Sequence, residues 1–391
     1  MEKELRELMK IASGEPPHQI SAETVRRAVI RRRLREGLAA AAAAAACLAG
    51  LGVFAANSSN ALSIRVSSPV PGATASPPRY YLQQTYGSPQ TVVRSTVTGK
   101  VTGTVRCPLQ SRLVSKKIAP AHGQTFFADC QRGTGGTAAS RIYQFRLTPA
   151  GRVSGFSPIP GGNLPGLAVV TIAASATGAE VAVGVSPAGQ QTDIDNIIVI
   201  NTATGARATW DNVPAKPGAM RFGITSLALT GDGRELFFFG PSRCVKGGAG
   251  ACHNNVRAVR EVSPATRGGS LGSSRLVLQQ SDLTGQFSHA YINDFAINPT
   301  GSQLLLGAVG DGVTGWVGVI QASAATGKPV SFLYKLTTGN SLIYRFTSSD
   351  PSGRYLLFDA GPNNAYNGWI DQGKLVLLAP ANGTNLSYET W

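Results

Sequence analysis

The sequence predicts an all-β fold for the chain beyond residue 80, and three observations carry that prediction. Glycine and proline together make 69 of the 391 residues, far above ordinary usage, which excludes a coiled coil or helical bundle. Short apolar alternations recur in pairs, each pair joined by a polar turn that ends in glycine. Those turn glycines, Gly123, Gly178, Gly233, Gly301 and Gly353, are spaced by 55, 55, 68 and 52 residues. The hydrophobic fraction, 42%, is too high for general disorder.

In chain order, residues 1–36 form a basic segment with nine Lys or Arg against six Glu, and Ser21 stands as a helix N-cap after Ile20. Its expected place is the cytoplasm, as a helical segment that touches lipid headgroups or docks a partner. Residues 37–56, GLAAAAAAAACLAGLGVFAA, are uncharged. Twenty such residues at about 1.5 Å each span about 30 Å, a bilayer core. Arg26, Arg27, Arg31, Arg32, Arg33 and Arg35 precede this span and no such cluster follows it, so the positive-inside rule orients the C-terminal bulk outward. The expectation is a single-pass membrane protein. A cleaved export signal ending near Ala61 and a buried Ala-rich helix are the alternatives. Residues 57–79 are rich in Ser, Pro, Ala and Asn, a linker composition.

Residues 80–391 carry the repeats. Leu227–Phe238 reads LALTGDGRELFF, Phe295–Leu306 reads FAINPTGSQLLL, Phe346–Phe358 reads FTSSDPSGRYLLF and Ile172–Val183 reads IAASATGAEVAV. A second series of turns falls between them at Gly99, Gly151, Gly205, Gly268-Gly269, Gly327 and Gly383. Two hairpins per period of about 55 residues give four antiparallel strands per period, the pattern of a propeller blade. Six blades are expected, over residues 80–106, 110–158, 166–211, 222–280, 290–336 and 342–391, with five or seven as neighbouring counts. The first is short, with strands at Tyr80–Gln84, Thr91–Thr96 and Lys100–Val105, as if the other terminus completes it.

The strand–(Thr/Pro)-x-Gly–strand units resemble the TolB-like, WD-repeat-related propeller repeats, best at Leu227–Phe238, where Asp232-Gly233 fills the turn. Thr177, Thr300 and Ser352 replace that Asp elsewhere. The layout of Arg-rich helix, Ala-rich span, Ser/Pro linker, Arg79-Tyr80-Tyr81 strand and terminal Trp391 is similar to that of actinobacterial single-pass membrane proteins. The resemblance implies a fold and an extracellular location and carries over no functional residue.

Cys47 falls in the apolar span, whereas Cys107, Cys130, Cys244 and Cys252 fall on the outer side, an even number that favours disulfides. Local pairing gives Cys107–Cys130 and Cys244–Cys252, the second closing a loop that accounts for the 68-residue period. No cofactor is expected. His253 beside Cys252 matches no standard zinc spacing, and Asp193-Ile194-Asp195-Asn196 lacks the remaining ligands of a calcium loop.

Gly310-Asp311-Gly312-Val313-Thr314-Gly315 fits GxGxxG, but Trp316–Ile320 after it alternates like a strand, so it reads as a hairpin turn. Gly268-Gly269-Ser270-Leu271-Gly272 fits GxSxG without the strand–turn–helix context of a nucleophile elbow. Of the four histidines, His18 is expected in the cytoplasm and His122 in a blade turn. His289 alone precedes an inner strand beside a carboxylate, Asp294.

The favoured function is a non-enzymatic binding module of the cell envelope whose partner is a protein, a polymer or a small molecule. The net charge of +12 from Arg65 onward mildly favours an anionic partner, and the scattered Lys and Arg do not suggest nucleic acid. A hydrolase or lyase with His289 and Asp294 at the ring axis is the second reading. An envelope signal transducer is the third.

Overall fold

The computed structural model describes residues 77–85, 90–108, 111–133, 135–189, 194–212, 220–244, 256–310, 316–337, 344–350, 355–360, 368–371, 374–377 and 387–390. The segments at 1–36 and 37–56, and all but the last residues of the linker, lie outside these. No helix among the described residues is long and apolar enough to cross a membrane.

Twenty-six strands form six sheets among the described residues. The first sheet holds β1 (Tyr80–Thr85), β2 (Thr91–Ser95) and β3 (Val101–Val105). The second holds β4 (Ser111–Ala121), β5 (Thr125–Arg132), β6 (Ala139–Leu147) and β7 (Val153–Leu164), six residues beyond the expected end of that blade. The third holds β8 (Leu167–Ala174), β9 (Glu180–Pro187), β10 (Asn196–Asn201) and β11 (Arg207–Asp211). The fourth holds β12 (Met220–Phe222), β13 (Ser226–Leu229), β14 (Leu236–Cys244) and β15 (Val256–Val262). Next in the chain come β16 (Gly268–Ser270) and then β17 (Arg275–Gln279), the outer strand of the fourth sheet. The fifth holds β18 (Tyr291–Ile297), β19 (Gln303–Val309), β20 (Trp316–Ser323) and β21 (Pro329–Thr337). The sixth holds β22 (Tyr344–Ser349), β23 (Leu356–Ala360), β24 (Gly368–Asp371) and β25 (Lys374–Leu377).

The last strand, β26 (Ser387–Thr390), leaves the sixth sheet and pairs antiparallel with β1, Leu82 opposite Thr390 and Thr85 opposite Ser387. The C-terminus thus completes the three-stranded first sheet, as the sequence suggested. The first strands of the sheets form a closed circuit: β4 packs on β8, β8 on β13, β13 on β18, β18 on β22, β22 on β26 and β26 on β4. The fold is a β-propeller.

Blade strands are buried on both faces, which explains runs that do not alternate. In β14, Phe237 and Phe239 enter the seam toward the fifth sheet with Phe295, while Phe238 enters the seam toward the third with Trp210 and Phe222. The seam between the first and second sheets is filled by Leu82, Val93, Phe126 and Phe145, and the next by Phe127, Ile142, Val181 and Val183. At about 25 cal/mol per Å² such seams supply the main driving force for closure.

One expected turn is a strand. Gly268-Gly269 begins β16, which runs parallel to β11 and covers the outer edge of the third sheet. Gly268 lies against Thr209, where a side chain would collide with the Thr209 carbonyl, so glycine permits the added strand.

Candidate binding face

Antiparallel blades alternate their connections between two faces, and the two faces differ. One carries the turns, of three to six residues, read from the sequence. Gly123, Gly178, Gly233 and Gly301 all adopt positive φ, from 70° to 75°. The turns of the second to fifth blades are tied into a partial hoop by main-chain hydrogen bonds. His122 N donates to Ala176 O (2.6 Å), Thr177 N to Gly231 O (3.3 Å) and Gly231 N to Pro299 O (2.8 Å). A side chain at Gly231 would stand 2.5 Å from the Pro299 carbonyl.

The second glycine series has a different reason. Each such turn leans on the preceding blade: Gly151 on Thr102 and Tyr80, Gly205 on Gly161, and Gly327 on the Val277 carbonyl. Arg207 reinforces one of these contacts by donating to Gly161 O (2.8 Å) and Asn163 O (2.6 Å).

The carboxylates whose pKa is displaced lie on this turn face. Burial raises Glu180, which packs on Gly233, and burial with the nearby Glu261 charge raises Glu235. Asp232 is lowered, because the Arg234 N–H and the Thr230 hydroxyl donate to its carboxylate.

The opposite face receives the longer connections. Residues 245–255 join β14 to β15, residues 280–290 join β17 to β18, and residues 188–195 join β9 to β10. Its frame is rigid where it is described. The buried Asn212 donates to Ile194 O (2.5 Å) and Phe222 O (2.7 Å) and accepts from Phe222 N (2.9 Å), binding the third sheet to the fourth. Arg221 on β12 pairs with Asp195. Asp195 therefore has a structural partner, and among the described residues no group of three or more His, Cys, Asp and Glu side chains is placed to hold a metal ion.

The inner strands β8 and β18 bulge at equivalent heights, at Val170 and Asn293, and the inner strand of the fourth sheet is interrupted at Gly223–Thr225. A bulge re-aims the residue after it. The three residues that follow are all polar: Thr171, Ser226 and Asp294. Ser226 Oγ donates to Asp294 Oδ1, and Phe295 N donates to the same oxygen (2.8 Å), so Asp294 ties the fourth inner strand to the fifth.

His289 is exposed on the loop face, in a left-handed conformation with φ 65°, just before β18. The strand Tyr291–Ile297 carries Asp294 away from it, at about 3.3 Å per residue. Beside His289, Tyr291 is 42% exposed. The Arg257 guanidinium lies 4.2 Å from its ring centroid and donates to Ile292 O (3.0 Å). Composition does not reveal this aromatic–cation pair, because Arg257 and Tyr291 come together only when adjacent blades pack.

Cys107 and Cys130 form the expected disulfide, which fastens the end of the first sheet to β5. Cys252 and the loop of the Cys244–Cys252 pairing lie outside the described residues, as do His253, Asp193 and Asp311. Trp316 after the glycine-rich Gly310–Gly315 stretch begins β20, as a hairpin requires.

No known sequence family and no curated protein matches the chain. Solved structures do. TolB from Acinetobacter baumannii is 13% identical with a TM-score of 0.38, over 72% of this chain and 60% of that one. Dipeptidyl peptidase 4 of Porphyromonas gingivalis is 10% identical (TM-score 0.36), over 78% and 45%. Prolyl oligopeptidase B of Galerina marginata is 13% identical (TM-score 0.37), over 65% and 35%. The chain therefore spans 60% or less of each of these proteins. The propeller assignment rests on the chain's own sheets.

Proposed function

We propose that the protein is a membrane-anchored, extracytoplasmic propeller that binds a component of the cell envelope through its loop face. The observation that supports this reading most is the asymmetry of the ring. The turn face is bridged by a main-chain hoop across the second to fifth blades, while the loop face bears long connections and a Tyr291–Arg257 pair whose tyrosine is exposed and whose arginine is half-buried. An exposed tyrosine braced by a half-buried arginine suits recognition, since it offers large contact area at low entropic cost. The apolar residues 37–56 after an arginine cluster would supply the anchor.

Alanine at Tyr291 and at Arg257 tests this function. Both variants should fold and lose the envelope cross-links of the parent protein; unchanged cross-links would overturn the proposal. The enzymatic alternative draws on His289, exposed and in a left-handed conformation just before β18. It requires turnover of a glycan, ester or phosphoester substrate that His289→Ala abolishes without altering folding.

A further inference from the structure

The net charge is not spread around the ring. Residues 66–179, which hold the first and second blades apart from β26, contain eleven Lys or Arg and one carboxylate, Asp129, to which β26 adds Glu389. Residues 180–391 contain fifteen Lys or Arg and fourteen Asp or Glu. The positive excess of the propeller thus belongs to one third of the circumference.

The carboxylate of Asp129 does not offset it at the surface. Asp129 is fully buried, on the strand face turned toward the third sheet, and it accepts from Ser140 Oγ (3.3 Å), which in turn accepts from Val169 N (3.2 Å).

The disulfide gathers part of this charge at one seam. Arg106 adjoins Cys107, and Arg141 stands directly opposite Cys130 in the β5–β6 register. Arg132 is two residues beyond Cys130, on the same strand face. All three are exposed. Arg141 is steadied over the Tyr143 ring, 5.9 Å from its centroid. Lys100, Arg146 and Arg152, also exposed, continue the charge to the turn face of the same two blades.

From this we infer that the first and second blades form a binding wedge for a linear polyanion bearing repeated phosphate groups, with the disulfide-linked seam of Arg106, Arg132 and Arg141 as its centre. The guanidinium fork matches phosphate bidentately. Cations on both faces of the wedge suit a flexible chain that passes over the rim, whereas a flat lipid surface meets one face only. The inference deepens the proposed binding function by giving the partner a chemistry, and it adds a site beyond the Tyr291 region.

The test is a titration of the full-length protein with linear polyphosphate, with orthophosphate and phosphatidylglycerol vesicles as separate arms. The triple variant Arg106→Gln, Arg132→Gln, Arg141→Gln should weaken polyphosphate binding at least tenfold and lower the salt slope by about one per arginine. The charge-matched triple Arg234→Gln, Arg267→Gln, Lys328→Gln in the fourth and fifth blades should leave binding unchanged. Absence of polyphosphate binding, equal losses in both triples, or binding confined to orthophosphate or to vesicles would overturn the inference. Envelope cross-links through Tyr291 that survive such a result would leave the proposed function standing.

Discussion

Thr177 on the turn between β8 and β9 donates its main-chain N–H to the carbonyl of Gly231 in the next blade, and Gly231 passes the relation on by donating to Pro299. Every such turn therefore has two tasks, reversing its own hairpin and holding its neighbour. This explains why the Thr/Pro-x-Gly signature recurs at a steady period.

Gly231→Ala should be among the costliest single substitutions on the turn face. Its Cβ would meet the Pro299 carbonyl at 2.5 Å and break the hoop, an expected loss of about 2 kcal/mol in urea unfolding. Gly155→Ala tests the contrast: its φ, unlike that of Gly231, is positive, at 63°, but a Cβ meets nothing within 4 Å, so only the conformational penalty applies.

Ser226→Ala removes the donor that joins the fourth and fifth inner strands at Asp294. A hydrogen bond to a charged group is worth about 1.5–3 kcal/mol, so thermal unfolding should fall by several degrees. Asp294→Asn, which keeps an acceptor, should cost less.

Burial raises the pKa of Glu180. Its protonated form is favoured by the fold, so this contribution to stability is complete below the ordinary glutamate pKa and is lost as pH rises through the raised folded value. Glu180→Gln should therefore unfold at higher temperature than the parent at neutral pH and at the same temperature in acid. Melting curves at several pH values check the sign.

Asp232 behaves oppositely. Donors from Arg234 and Thr230 lower its pKa, so its contribution is present above the ordinary aspartate value and disappears as pH falls through the lowered one. Asp232→Ala should destabilise the protein at neutral pH, with the difference vanishing in strong acid.

Reduction of Cys107–Cys130 releases a loop of sequence separation 23, and chain entropy sets the cost at about 3 kcal/mol. Cys107→Ser should show the same loss without reductant.

Much of the architecture was legible in the sequence because it is local. The turn glycines report positive φ, and the spacing of hairpins reports four strands per blade. The strands at 80–85, 91–95 and 101–105 follow directly from short apolar alternations. What was hidden depends on contacts between blades. The parallel strand at Gly268–Ser270 looks like an ordinary glycine turn until the edge of β11 is beside it. Asn212 is an unremarked loop residue until it clamps Ile194 and Phe222. His289 and Asp294 could be singled out from the sequence, but the partnership of Asp294 with Ser226 required the fourth and fifth inner strands to meet.

The measurement that tests the account most directly is site-specific photo-cross-linking in intact cells, with the reactive side chain placed at Tyr291 on the loop face and at Thr300 on the turn face, both in the fifth blade. The account expects adducts from position 291 and none above background from position 300. Adducts from position 300 alone, or equally from both, would contradict it.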